Sequence, residues 1–223
     1  MTSAALTFFD LPKSIRRPLT ISEVAAIADT DRKSVNRMID DGVLPESFLN
    51  MTMPSKGLAR CRFLEHTACP MVVFNVTNGS HVSPQIRTRV FNRIDLMMRD
   101  GTTDAVLTEG AMTLDLSKIL NETVKRMLAL AHAEADVERD DDRRGGVPML
   151  RGTRIMVHEL ADLAQHETLD NLLEAFPRLS AERVENARIY AKAHPLIGRP
   201  RTRPKLPQVI QKMSSTTVSL GTV

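Results

Sequence analysis

The stretch Gly145-Gly-Val-Pro-Met-Leu-Arg-Gly-Thr-Arg-Ile-Met-Val157 leaves the chain few ways to fold. Its glycine pair and Pro148 oppose a helix at the start, and Gly152 lets the backbone bend between two arginines. Pro148 to Val157 therefore reads as a short extended arm. Helices are expected near 158–165, 169–176 and 180–193, because His166-Glu-Thr168 and Pro177-Arg-Leu-Ser180 interrupt the apolar periodicity between them.

The order of a Gly-rich turn, a Pro, an apolar pair and Arg-Gly-Thr-Arg-Ile-x-Val, then two or three short helices, resembles DUF433, a small domain of bacterial antitoxins. Residues roughly 137–195 follow that outline, about a quarter of the chain. The segment Glu174-Ala-Phe-Pro-Arg-Leu-Ser180 ends in a Phe-Pro-Arg-Leu-Ser junction where the family commonly has Tyr-Pro-x-Leu-x. The resemblance implies a binding protein of the VapB-like kind and no enzyme.

Arg151-Gly-Thr-Arg154 admits two accounts. Gly152 can let backbone amides converge on an anion. Equally, the motif is a turn in which Thr153 and Arg154 tie neighbouring backbone and carboxylates, and the resemblance favours this structural role.

Charge is divided unevenly. The chain has 223 residues and a net charge of +3, yet its last acidic residue is Glu185. Seven cations follow without an anion (Arg188, Lys192, Arg199, Arg201, Arg203, Lys205 and Lys212), so residues 1–185 carry a net −4. A basic tail on a mildly acidic body points to an anionic partner. Four prolines and four cations within Pro195–Pro207 oppose a packed element, and an extended segment is expected there.

In VapB-like antitoxins paired with PIN-type ribonucleases, a C-terminal extension wraps the toxin and a cation reaches its acidic, metal-binding site. The resemblance thus implies toxin contacts at Arg199, Arg201, Arg203, Lys205 and Leu206. A guanidinium can pair bidentately with carboxylates that otherwise hold Mg²⁺. The other account of the same tail is nonspecific affinity for DNA.

Near the N-terminus, Thr20-Ile-Ser-Glu23 fits a capping box. Val24, Ile27 and Ala28 then share a helical face. Ala28-Asp-Thr-Asp31 breaks that helix, and Thr30 or Asp31 can cap a second one. In it Val35, Met38 and Ile39 form the buried set, while Arg32, Lys33, Ser34, Asn36 and Arg37 face outward. Asp41-Gly42 ends it. This is helix-turn-helix spacing, with five side chains able to meet phosphates and base edges in a major groove. The run from Thr20 to Pro45 resembles the small winged helices of the MerR and excisionase group, which commonly show Gly-x-Leu-Pro before the wing. Asp40 and Asp41, at the far end of the helix, oppose phosphate contact there.

Between these blocks, Met71-Val-Val-Phe-Asn-Val76 reads as a buried strand between Pro70 and Asn78-Gly79. Pro84 begins a helix carrying Ile86, Val90, Ile94 and Met97, stopped by Asp100-Gly101. A short strand from Met112 to Leu116 and an amphipathic helix with Leu120, Val124, Met127, Leu128 and Ala131 follow. The charged run from Glu134 to Arg144 reads as a linker.

Other chemistry finds little support. Cys61, His66, Cys69 and His81 lack the spacing of a zinc knuckle. In His158-Glu159-Leu-Ala-Asp162, an aspartate stands where a zincin helix needs its second histidine. No phosphate-cradling Gly-rich loop or nucleophile elbow occurs, so no catalytic residue, metal or cofactor is expected. The start, Met1 to Asp10, lacks the pattern of a signal peptide, and no apolar run is long enough to span a bilayer. A cytoplasmic location without membrane contact is the expectation.

The expected architecture is mainly α with short β segments. It comprises an N-terminal segment (1–18), a winged helix-turn-helix for DNA (19–60) and a central α+β block suited to dimerisation (61–135). A DUF433-like three-helix domain (136–195) and a basic, Pro-rich toxin-binding tail (196–223) follow. The expected function is antitoxin and autorepressor, with a PIN-like toxin and operator DNA as partners, in a homodimer or a larger complex with toxin. The alternative is a stand-alone DNA-binding regulator.

Overall fold

The first helix begins at the capping box. In the computed structural model, which describes residues 8, 11–52, 61–100, 105–110, 112–140 and 146–196, strand β1 (Leu19–Thr20) runs directly into α1 (Ile21–Ile27). The Glu23 amide donates to Thr20 Oγ1 at 3.3 Å and the Thr20 amide to Glu23 Oε2 at 2.6 Å, so two amides at the helix start are satisfied. Arg17 adds a fork onto the same carboxylate, at 2.6 and 3.2 Å.

Helix α2 (Arg32–Asp40) follows a four-residue turn. Strands β2 (Leu49–Thr52) and β3 (Cys61–Leu64) then complete an antiparallel sheet in the order β1-β3-β2. Leu64 lies opposite both Leu19 and Leu49. The sheet therefore reaches past residue 60, because β3 is its central strand.

One expectation fails outright. Met71–Val76 is not a strand; it lies inside helix α3 (Cys69–Asn78). Cys69 through Phe74 are all buried, so the segment is apolar all round and lacks any periodicity to tell helix from strand. Pro70 in the first turn favours the helix, and Thr77 Oγ1 donates to the Val73 carbonyl one turn earlier at 2.8 Å. Helix α4 (Pro84–Asp100) packs on α3, with Phe74 and Phe91 meeting edge to face at 6.4 Å between ring centres. A hairpin of β4 (Val106–Glu109) and β5 (Met112–Asp115) leads to α5 (Ser117–Ala135).

Contacts divide the chain into two units, the first reaching Ala131 and taking in Lys192–His194, the second running from His132 to Ala191. Buried Leu19, Val24, Ile27, Val35, Leu64, Met71, Phe74 and Ile94 belong to the first.

In the second unit the expected linker from Glu134 is partly ordered structure. Glu134 and Ala135 end α5, and β6 (Val137–Glu138) pairs antiparallel with β7 (Met149–Leu150). The charged composition concealed this strand, since only Val137 of the pair turns into the core. Helices α6 (Val157–Leu163), α7 (Leu169–Ala175) and α8 (Ala181–Ala193) follow close to their expected bounds. Leu150, Val157, Leu160, Leu172, Val184 and Ala187 form their shared core.

The Arg-Gly-Thr-Arg motif makes the turn after β7. Gly152 has φ +69°, a left-handed conformation that suits glycine, while a Cβ there would meet nothing within 4 Å. Thr153 Oγ1 donates to the Leu150 carbonyl at 2.8 Å and accepts from the Ile155 amide at 3.2 Å. Arg151 Nε donates to the Ala135 carbonyl at 2.9 Å. The structural ties come from Arg151 and Thr153, not from Arg154, which stays exposed.

The chain is thus mainly helical with small antiparallel sheets. Among the described residues it has eight α-helices, and none is long and apolar enough to cross a membrane. Arg199, Arg201, Arg203, Lys205 and Leu206 lie outside the described residues.

Candidate nucleic-acid interface

The α1–α2 pair is held by backbone geometry at both helix ends. At the end of α1, Asp29 takes φ +53°, and the Thr30 amide reaches back to the Ala25 carbonyl at 2.9 Å. Aspartate is among the few residues that tolerate this left-handed position. Arg126 Nη1 from α5 donates to the Ile27 carbonyl at 3.2 Å, placing a cation at the negative end of α1.

Asp31, rather than Thr30, caps α2. Its carboxylate accepts from the Ser34 amide and the Ser34 hydroxyl, both at 2.9 Å. The Ser34 amide bond, followed by the hydroxyl bond, holds the exposed Asp31 carboxyl below its ordinary pKa. At the other end Gly42, at φ +64°, lets the Val43 amide reach the Met38 carbonyl at 2.9 Å. The helix therefore ends where Asp41-Gly42 predicts.

Val35 and Met38 are buried and Ile39 is half-buried, so the inward face is the expected one. On the other face Arg32, Lys33 and Arg37 are exposed, and among the described residues no ion pair holds them. With Asp31 and Ser34 they line one surface depression. Ser34 and Asn36 are more constrained. Ser34 serves the cap, while Asn36 Nδ2 donates to the Arg32 carbonyl at 3.0 Å.

Sequence reasoning missed Arg62. From β3 its Nη1 donates to Asp40 Oδ1 at 2.7 Å and to Asn36 Oδ1 at 3.4 Å. No local pattern announces this pair, because 22 residues separate the partners in the chain. Its effect is electrostatic: of the two carboxylates at the far end of α2, Asp40 and Asp41, the first is neutralised.

Cys69 offers no chemistry. It is buried, and burial, reinforced by the nearby Glu23 charge, pushes the thiol far above its ordinary pKa, which keeps it protonated and inert.

The chain is 30% identical over 205 residues to the uncharacterized protein y4eO of Sinorhizobium fredii (strain NBRC 101917 / NGR234), an alignment covering 87% of this chain and 90% of that protein. It belongs to the family of y4eO. The similarity spans most of both chains and so takes in parts of both units. Residues 137–191 also match the family described as "Protein of unknown function (DUF433)". That span runs from β6 through most of α8 and includes the Arg-Gly-Thr-Arg turn. No solved structure matches the chain.

Proposed function

We propose that this member of the y4eO family is the antitoxin of a type II toxin–antitoxin system and binds its own operator as an autorepressor. In this reading β1–β3 with α1 and α2 are a winged helix-turn-helix, and α2 enters the major groove. Arg32, Lys33 and Arg37 meet phosphates and guanine edges. Ser34 and Asn36 shape that surface. The region from α3 to α5 makes dimer contacts, and α6–α8 form the DUF433-like three-helix domain. The basic tail, through Arg199, Arg201, Arg203, Lys205 and Leu206, occupies the metal site of a PIN-like ribonuclease in the cytoplasm.

The observation that carries the DNA half is the exposed trio Arg32, Lys33 and Arg37 on a capped helix whose opposite side is buried. The toxin half is supported by the DUF433 match and the run of tail cations without an anion. Two-fold symmetry of a dimer would appear as a palindromic operator.

The test is co-expression with the product of the adjoining open reading frame, purified through one tag. A stable complex whose ribonuclease activity emerges only when residues 196–223 are removed is the expected result. If the neighbour is neither toxic nor bound, the toxin half fails. Tight binding to the upstream DNA would then leave a stand-alone regulator, and loss of that binding as well would end the proposal.

A further inference from the structure

The two motifs of the second unit, Arg151-Gly-Thr-Arg154 and Phe176-Pro-Arg-Leu-Ser180, lie more than twenty residues apart in sequence but line one groove of about 750 Å³. Arg154 and Ile155 line it from the turn after β7, Phe176, Pro177 and Arg178 from the connection between α7 and α8, and Glu138 from β6. All six lie inside the DUF433 match.

The arginines of this unit divide sharply. Arg183 forks onto Asp136, Arg139 donates to the Tyr190 hydroxyl, Arg151 holds backbone carbonyls, and Arg188 meets Glu185. Arg154 and Arg178 have no such bond among the described residues, and both are exposed on the same groove. Ile155 and Phe176 beside them are half-buried and pack against the core of the unit, which anchors the apolar part of the groove.

We infer that this groove binds an extended acidic segment of a partner protein, one carrying Asp or Glu beside an aliphatic or aromatic side chain. Two guanidiniums supply forked donors for a carboxylate. The floor of Ile155, Phe176 and Pro177 takes the apolar side chain, and the volume is that of a small binding pocket. Glu138 favours a peptide in another way: it repels a ligand's carboxylates as it would phosphates, but it can accept from peptide N–H groups, which a phosphodiester backbone does not offer. A single aromatic ring, moreover, gives a strand of bases little to stack on. This inference is independent of the antitoxin reading and of the tail.

The test pans a random heptapeptide library, displayed on phage, against the full chain and then against an Arg154→Gln, Arg178→Gln variant. Melting temperatures of both proteins check that folding is retained. Selected peptides are expected to pair Asp or Glu with Leu, Ile or Phe. They should bind the variant at least tenfold more weakly and weaken as salt rises. The charge-preserving R154K/R178K protein should lose part of the affinity, because the fork is gone while the charge stays. Selection without acidic residues, equal binding to the Gln variant, or no selected peptide would overturn the proposal. So would a dT12 oligonucleotide that binds the wild type and loses affinity in the Gln variant, which would reassign the groove to nucleic acid.

Discussion

Arg62 on β3 pairs with Asp40 on α2 at 2.7 Å, and the same guanidinium nitrogen reaches Asn36 at 3.4 Å. The pair fastens the sheet to the outer face of the helix. It also neutralises a carboxylate at the C-terminal end of α2. Asp40 and Arg62 are both substantially exposed, so the pair adds little to stability, under about 1 kcal/mol.

Its weight should fall on DNA affinity. Arg62→Ala is expected to melt within a few degrees of wild type yet bind the upstream DNA severalfold more weakly. Adding Asp40→Asn should restore most of that loss, since the uncompensated carboxylate is then absent. Fluorescence anisotropy at fixed salt reads both; identical weakness in the single and double variants would show that charge at Asp40 is irrelevant.

Arg32, Lys33 and Arg37 are expected to act through phosphates. Alanine at each position should lower the slope of log affinity against log salt by about 1. Serine 34 is committed to the Asp31 cap and Asn36 to Arg32 and Arg62, so Ser34→Ala and Asn36→Ala should leave the slope unchanged. A slope unchanged in the cation variants would remove α2 from the interface.

Glu23 makes the first unit sensitive to acid. Burial alone would raise its pKa, but the Arg17 hydrogen bonds and charge, together with the Thr20 amide, outweigh burial and hold it below its ordinary 4.5. The carboxylate therefore stabilises the fold fully above that value, and the contribution disappears as pH falls through the folded pKa. Glu23→Gln should cost roughly 1–3 kcal/mol at pH 7. The difference from wild type should shrink below pH 4 in urea titrations, and a constant difference down to pH 3 would contradict the assignment.

In the second unit, Arg183 holds Asp136 through three contacts of 3.0–3.2 Å and also donates to the Arg151 carbonyl at 2.7 Å. Both side chains are about four-fifths covered. Arg183→Met strands a carboxylate and a carbonyl, and should cost about 1–3 kcal/mol. Arg183→Lys keeps the charge but not the fork, so it should recover only part of this. Differential scanning calorimetry of the full chain reads the loss, and equal melting of the Lys variant and wild type would deny the fork its role.

Gly152 is needed for its backbone and not for space. Gly152→Ala should cost roughly 1–2 kcal/mol from the left-handed conformation, and Gly152→Asn noticeably less. Equal loss with both residues in thermal melts would point to a steric cause instead.

Local chemistry alone determined a good deal of this protein. The capping box at Thr20 and Glu23, the stop at Asp41-Gly42, the start of α4 at Pro84 and the three closing helices were all legible. Each depends on bonds or steric limits within a few residues of the chain. The tertiary structure decided what distance conceals. Met71–Val76 became helix because the run Cys69–Phe74, buried throughout, carries no period to read. Val137–Glu138 became strand because Met149–Leu150 supplied its hydrogen-bond partners. Arg62 reached α2, Arg154 found no partner among the described residues while Arg151 was bound, and two separate motifs came to line one groove. Such pairings depend on which surfaces the cores bring together, and burial of apolar side chains has no fixed spacing along the sequence.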